Sequence, residues 1–423
     1  MKISFRTIRR FALIIFLTII LSGASVLSYI RVPRIWLCGI LGVLGLFYLK
    51  SGITIRLHTS KLWMMWIAFL FITIMFSYVP GNTLKAAIIY LCFFLLAFLN
   101  YNEEDMLFLI KIIRICCIIF ALSILISVLI PNLFTDYFPF LIATNTNVIR
   151  TEISEGIYSG LAGEKSNAAF YMNIAIALEL AMFNLYKKLK IKNYIYIAIY
   201  IIALMLTGKR TLLFVSFLVI GLAIKLFNIK SKPAKIFLGS LVAVPIGLLV
   251  LGFIPQAQIV IKRIIQYSSD TTYNGRKLFW DFCLYMFRNR WLIGYGYDTF
   301  NEVFGDIVHY IYDGALWNMY AHNIYYELLA ETGVVGFTIF VAAAAYLMVK
   351  SIKCFKGKLV TDIQKFFLFF SIAIQMIFLV YGVTGNVIYA HYGLGFYFAA
   401  FIIYKTVVLK LYKDGIINSV SKF

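Results

Sequence analysis

Long apolar runs separated by short polar connectors repeat along almost the whole chain. A bilayer core about 30 Å thick needs about 20 apolar residues as a helix. Runs of that kind fall at 11–30, 32–49, 62–79, 84–100, 107–130, 167–186, 193–207, 211–227, 236–254, 324–349, 363–383 and 388–408. The alternating segments of about ten residues that build a transmembrane barrel are missing. The pattern predicts an all-α polytopic membrane protein with about 12 transmembrane helices, the first a retained signal anchor. Two connectors are long, at 131–166 and, between the ninth and tenth spans, at 255–323. The second is long enough to hold helices of its own. Its segment 276–289 reads as a short amphipathic helix with Asn274 as N-cap.

Composition agrees. Of 423 residues 62% are apolar and 13% charged, against about 45–50% and about 25% in soluble domains. The formal charge of +21 would point to nucleic acid in a soluble chain. Placing both termini in the cytoplasm assigns twenty-six of the 39 basic residues to inside loops and helix flanks. The charge therefore follows the positive-inside rule, and no nucleic-acid partner is expected. The six cysteines lie mostly within apolar runs without paired spacing, so neither a disulfide framework nor a metal site is expected. Residues 131–166 and 255–323 are expected outside.

The basic residues left outside then need a reason. Lys209 and Arg210 join two short spans whose helices reach only about 21–24 Å. They should sit at or below the outer boundary, at a turn into a helix N-terminus, where an anion is the natural partner. Snorkelling to headgroups is the alternative. Arg276 and Lys277, at the start of the expected loop helix, suit a phosphate clamp or a solvated loop. Arg288 and Arg290, at its other end, suit the helix dipole. His322 stands before the tenth span, and Asn323, Glu327 and Glu331 follow at helical spacing as a polar stripe heading into lipid. A histidine there can take up a proton near neutral pH, or serve only as a hydrogen-bonding group. The segment Gly160 to Asn167, with Glu164 and Lys165, has glycines that allow close backbone approach to a ligand, or simply a flexible loop. No nucleotide loop or metal-ligand cluster occurs, so no cofactor is expected.

Taken in order, these pieces resemble the O-antigen ligase and polymerase superfamily of polysaccharide-assembly membrane proteins. The resemblance lies in Thr207-Gly208-Lys209-Arg210, in Gly275-Arg276 through Trp280, and in Trp291 through Phe300. It lies most of all in His322 through Glu327 followed by Glu331-Thr332-Gly333-Val334-Val335-Gly336. Departures are Lys209 where a common family form has serine, and no proline near Trp291. The resemblance implies transfer of a sugar chain from a polyprenyl-diphosphate donor on the outer face of the bacterial cytoplasmic membrane, without nucleotide or metal. It implies that Arg210 and Arg276 hold the diphosphate and that His322 assists the acceptor hydroxyl. Lys209, Lys277, Asn323, Glu164 and Lys165 are the expected supporting contacts. An O-antigen or capsule repeat-unit polymerase is the favoured member, with lipid-linked oligosaccharide as donor and acceptor, and a chain-length regulator and a flippase as protein partners. The alternatives are a ligase acting on lipid A-core and, from another class, a lipid-linked sugar flippase or other transporter.

Overall fold

The computed structural model describes residues 5–21, 31–48, 56–142, 146–186, 191–227, 239, 271–312 and 320–417. The first helices are α1 (Phe5–Leu21), α2 (Arg31–Tyr48), α3 (His58–Thr73), α4 (Pro80–Leu95) and α5 (Glu103–Leu129). Next come α6 (Thr146–Ser154), α7 (Lys165–Tyr186), α8 (Ile191–Leu206) and α9 (Arg210–Phe227). The last are α10 (Thr271–Asn289), α11 (Phe300–Tyr312), α12 (Ile324–Phe355), α13 (Asp362–Tyr381) and α14 (His391–Lys413). No strand occurs among the described residues.

Every expected span except the ninth falls on one of these helices, and among the described residues seven helices are long and apolar enough to cross a membrane. The ninth, at 236–254, and the basic pair Lys262 and Arg263 lie outside the described residues. The chain is a multi-pass membrane protein.

The helices differ in what surrounds them. In α14, 94% of the membrane window is buried inside the protein, whereas α5 buries 33% of its own. Protein neighbours, rather than lipid, therefore decide the side chains of α14. On α2, Gly39, Gly42 and Gly45 form a small-residue stripe against α4, where a Cβ on Gly42 would stand 2.5 Å from the Leu95 backbone. Close backbone approach of this kind substitutes for the hydrophobic drive that is missing between helices in lipid.

Ion pairs fix one end of the bundle. Arg9 Nε donates to buried Asp105 at 2.5 Å, and Arg6 meets Glu104 at 2.9 Å, so the starts of α1 and α5 share that end. Asn102 and Asp105 also form a reciprocal capping box on α5. Gln364 near the start of α13 donates to Glu103 at 3.4 Å. Buried Lys405 of α14 donates to the Ala97 carbonyl, at the turn that ends α4. The opposite end carries the turn between α3 and α4, on which the segment 295–306 is laid. There Tyr78 donates to Asp306 at 2.6 Å, and Asn82 donates to Glu302 at 2.7 Å.

Two details differ from the sequence expectation. The helix expected over 276–289 covers Thr271–Asn289, which places Asn274 inside it and Arg276 and Lys277 beyond its first turn. A cap is worth only about 1 kcal/mol, and the apolar face built by Phe279, Cys283 and Met286 has more to gain from packing on α11 and α12. The second difference is α11 itself, which the hydrophobic pattern did not single out.

Candidate functional site

The site is assembled on a helix that is broken. Within α12, Gly333 has φ 61 and ψ −171, which ends one helical segment and starts another. Freed from the helical ladder, Val334 N–H donates to the Trp291 carbonyl at 2.8 Å and Val335 N–H to that of Leu292 at 3.2 Å. On the other side of the break, Gly296 N–H donates to the Glu331 carbonyl at 2.8 Å. A Cβ on Gly333 would stand 2.4 Å from the Leu292 carbonyl carbon, so the two backbones meet only because glycine is there. The motifs Trp291–Phe300 and Glu331–Gly336 are thus two halves of one joint.

Glu331 locks that joint. Its fully buried carboxylate accepts four hydrogen bonds: from the backbone N–H of Asp298, Thr299 and Phe300, each at 2.8 Å, and from the Tyr389 hydroxyl at 2.7 Å. The first three are the amides that open α11, so a carboxylate borne by α12 caps another helix and meets its positive dipole end. Asp298 itself has φ 62, and its carboxyl is pushed up to about 7, by burial first and then by Glu302. Glu327 is also fully buried, approached by the Ala321 backbone N–H but closing no hydrogen bond of good geometry.

Before α12, the chain makes a tight turn. His322 adopts φ 54, and Asn323 follows as N-cap, its Oδ1 accepting from Tyr325 N–H at 3.0 Å and Tyr326 N–H at 3.3 Å. With that oxygen Asn323 caps the helix, and its amide nitrogen is not used in the cap. The turn is held from α10: Trp280 Nε1 donates to the Ala321 carbonyl at 2.9 Å, and its ring stacks on Tyr326 with centroids 5.7 Å apart. Ile324 N–H donates to the Gly382 carbonyl at 2.8 Å at the end of α13. His322 is therefore presented by a braced turn with a left-handed backbone.

Around this histidine the structure gathers cations from segments far apart in sequence. Arg276 of α10 and Lys209 between α8 and α9 both act on His322, and burial together with these charges pushes its imidazole down to about 4. Lys209 is pushed down to about 8, by burial first and then by Lys165, with Arg276 adding to it and Glu164 and Glu152 opposing. Gly208, at φ 66, makes the turn that brings Lys209 here. Lys165 pairs with Glu152 at 2.9 Å. Arg276 makes no hydrogen bond or ion pair among the described residues, and its Nε is buried without a partner. The result is a neutral imidazole beside Arg276 and Lys209, in a group where these two and Lys165 make three cations against the two carboxylates Glu152 and Glu164, which is the electrostatic setting for an anion of high charge density.

Of the residues singled out from sequence, His322, Lys209, Arg276, Glu164 and Lys165 come together. Lys277 is exposed, Arg210 opens α9 half-buried, and the charge of Lys209 acts on His322. Arg290 lies 4.6 Å over the Tyr295 ring and donates to the Phe76 carbonyl, a bracing role. The sequence did not reveal Glu152 as the partner of Lys165, Trp280 as the brace, or Tyr381, which the field of Arg276 reaches and Ser166 hydrogen-bonds.

Residues 195–341 match a family model described as O-antigen ligase. The matched stretch contains Lys209, Arg276, His322 and Glu331, and it supports the superfamily resemblance carried by the motifs. Ligase and polymerase share that family, so the match leaves the two undivided. No curated protein matches the chain.

Proposed function

We propose that the protein is a polysaccharide polymerase, a glycosyltransferase that joins polyprenyl-diphosphate-linked oligosaccharide repeat units. The observation that carries the proposal is the meeting of Arg276, Lys209 and a neutral His322 at the end of the bundle away from the Arg6–Glu104 and Arg9–Asp105 pairs. That end faces outside if the positive-inside rule holds for this chain.

The chemistry follows from charge. His322 takes the proton of an acceptor sugar hydroxyl, and the hydroxyl oxygen attacks the anomeric carbon of the donor. A glycosidic C–O bond forms while the C–O bond to the diphosphate breaks, with inversion at carbon. The departing diphosphate keeps the electron pair, and its charge is met by Arg276 and Lys209. The low basicity of His322 in the free protein changes when the donor arrives, because an adjacent anion favours the imidazolium. Glu331 supports the reaction at a distance by holding α11 and the loop against α12. Arg210 belongs to the donor site at its rim.

The deciding experiment supplies purified protein with lipid-linked single repeat units and no lipid A-core. A ladder of longer lipid-linked chains is expected. No ladder, with product appearing once lipid A-core is added, means a ligase; movement of intact substrate across vesicles without bond formation means a flippase. Orientation is checked separately in a cysteine-depleted background. A cysteine at exposed position 306 is expected to label in intact cells and one at exposed position 414 to be protected.

A further inference from the structure

Two lipid-linked substrates bring two diphosphates, and only one of them adjoins the reacting carbon. The donor's diphosphate is bonded to the anomeric carbon and belongs beside His322. The acceptor reacts through a sugar hydroxyl remote from its own diphosphate, so that second anion must be held about one oligosaccharide away. Arg276 and Lys209 account for the first anion.

The same end of the bundle carries a second gathering of basic side chains, from helices that are distant in sequence. Arg31 opens α2 and His391 opens α14, and Arg31 Nη1 lies 3.3 Å from His391 Nδ1 across a sequence gap of 360 residues. A guanidinium has no acceptor, so it donates to Nδ1, and the neutral ring is left with Nε2–H to offer. Arg34 lies one turn further along α2, in the field of Arg31, with Nη1 donating to the Thr18 carbonyl at 2.6 Å. Exposed Lys85 of α4 acts on the same histidine and also on Asp298. Two guanidinium groups and an imidazole N–H thus meet at one end of the bundle, a donor set suited to the oxygens of a diphosphate.

The surroundings suit a lipid-linked anion. Below Arg31, α2 exposes Val32, Trp36, Ile40 and Phe47 at helical spacing, an apolar track along which a prenyl chain can lie. A row of buried rings packs between these cations and the first set. Tyr392, next to His391, meets Phe170 at 5.2 Å, and Phe170 meets Tyr381 at 6.4 Å, where the field of Arg276 begins.

We propose that Arg31, Arg34 and His391 form a second anion site that holds the diphosphate of the acceptor lipid while its sugar is activated at His322. The proposal rests on the polymerase reading and is tested so that the two can fail separately. Full-length protein in vesicles is given a lipid-linked donor and either of two acceptors: the repeat unit on its prenyl diphosphate, or the same repeat unit as a simple glycoside lacking lipid and phosphate. In Arg31→Gln and His391→Gln, the KM for the lipid-linked acceptor is expected to rise about tenfold or more, the loss typical of one charge-assisted hydrogen bond. The KM for donor and the rate with the glycoside acceptor stay at wild-type values, and Arg31→Lys falls between. An unchanged KM for the lipid-linked acceptor overturns the second site, and so does an equal loss with both acceptors, which marks a structural role. Binding of phosphatidylglycerol that the variants abolish while acceptor KM stays unchanged also overturns it, leaving a headgroup site. If the wild-type protein elongates neither acceptor but uses lipid A-core, the polymerase reading itself has failed.

Discussion

Two half-buried arginines of this protein have opposite surroundings. Arg114 of α5 closes a bidentate pair with Glu179 of α7, at 2.6 and 3.0 Å, and Asn193 of α8 donates to the same carboxylate at 2.6 Å. Tyr196 lies 5.1 Å beneath its guanidinium. Arg276 has no such partner among the described residues, and its charge acts on a second cation, Lys209, and on the neutral His322. The first arginine is finished within the fold: charge, fork and ring are all matched, and three helices are tied together. The second is left open, so its fork is available to an external anion. An arginine matched within the fold supports stability, and one left open supports binding.

The largest expected effect tests the open region. His322→Ala is expected to lower polymer formation by about 10²–10⁴, the range for loss of a general base, with thermal unfolding unchanged; a normal ladder from this variant would sink the mechanism. Arg276→Ala is expected to cost about 10²–10³ in kcat/KM for the donor, as for removal of one preorganised charge-stabilising donor. Arg276→Lys should recover only part, because charge returns without the fork.

The closed region should behave in the opposite sense. Arg114→Ala strands the Glu179 carboxylate and is expected to cost about 3–5 kcal/mol of stability, while the folded fraction keeps its specific activity. Arg114→Met combined with Glu179→Leu should restore most of the stability, read as the unfolding midpoint in detergent. Loss of specific activity in that double variant would erase the distinction between the two arginines.

The smallest effect lies in pH. With Lys209 at about 8 and His322 at about 4, kcat/KM should fall below about pH 4, where the base is protonated, and above about pH 8, where the lysine loses its charge. Lys209→Arg should remove the alkaline limb and leave the acid one, measured as initial rates from about pH 3 to about pH 9.

Most of the bundle was legible because apolar runs report directly which segments enter lipid, and Lys209 and His322 were legible because they stand where lipid disfavours charge. Hydrophobic periodicity says which face is buried but not what meets it. That is why Glu331, read as part of a polar stripe, gave no sign of capping α11, and why Arg31 and His391 gave no sign of each other. Asn323 was legible as a polar residue at a helix start, where its side-chain oxygen caps α12. The order of motifs along the chain pointed to the family; the joint between Trp291–Phe300 and Glu331–Gly336 is a tertiary contact that no single motif contains.

The break at Gly333 also makes α12 two parts with separate phases. The outer part is indexed to the loop by backbone bonds from Gly296 and to α11 by Glu331, whereas the inner part follows its neighbours in the bilayer. In a continuous helix one inserted residue turns everything beyond it by about 100°. Here an insertion inward of Val335 would turn only the membrane half, and His322 would keep its bearing on Arg276. The end that carries the candidate site and the lipid-facing end of this helix are free to vary on separate schedules, one answering to whatever the site binds and the other to the membrane.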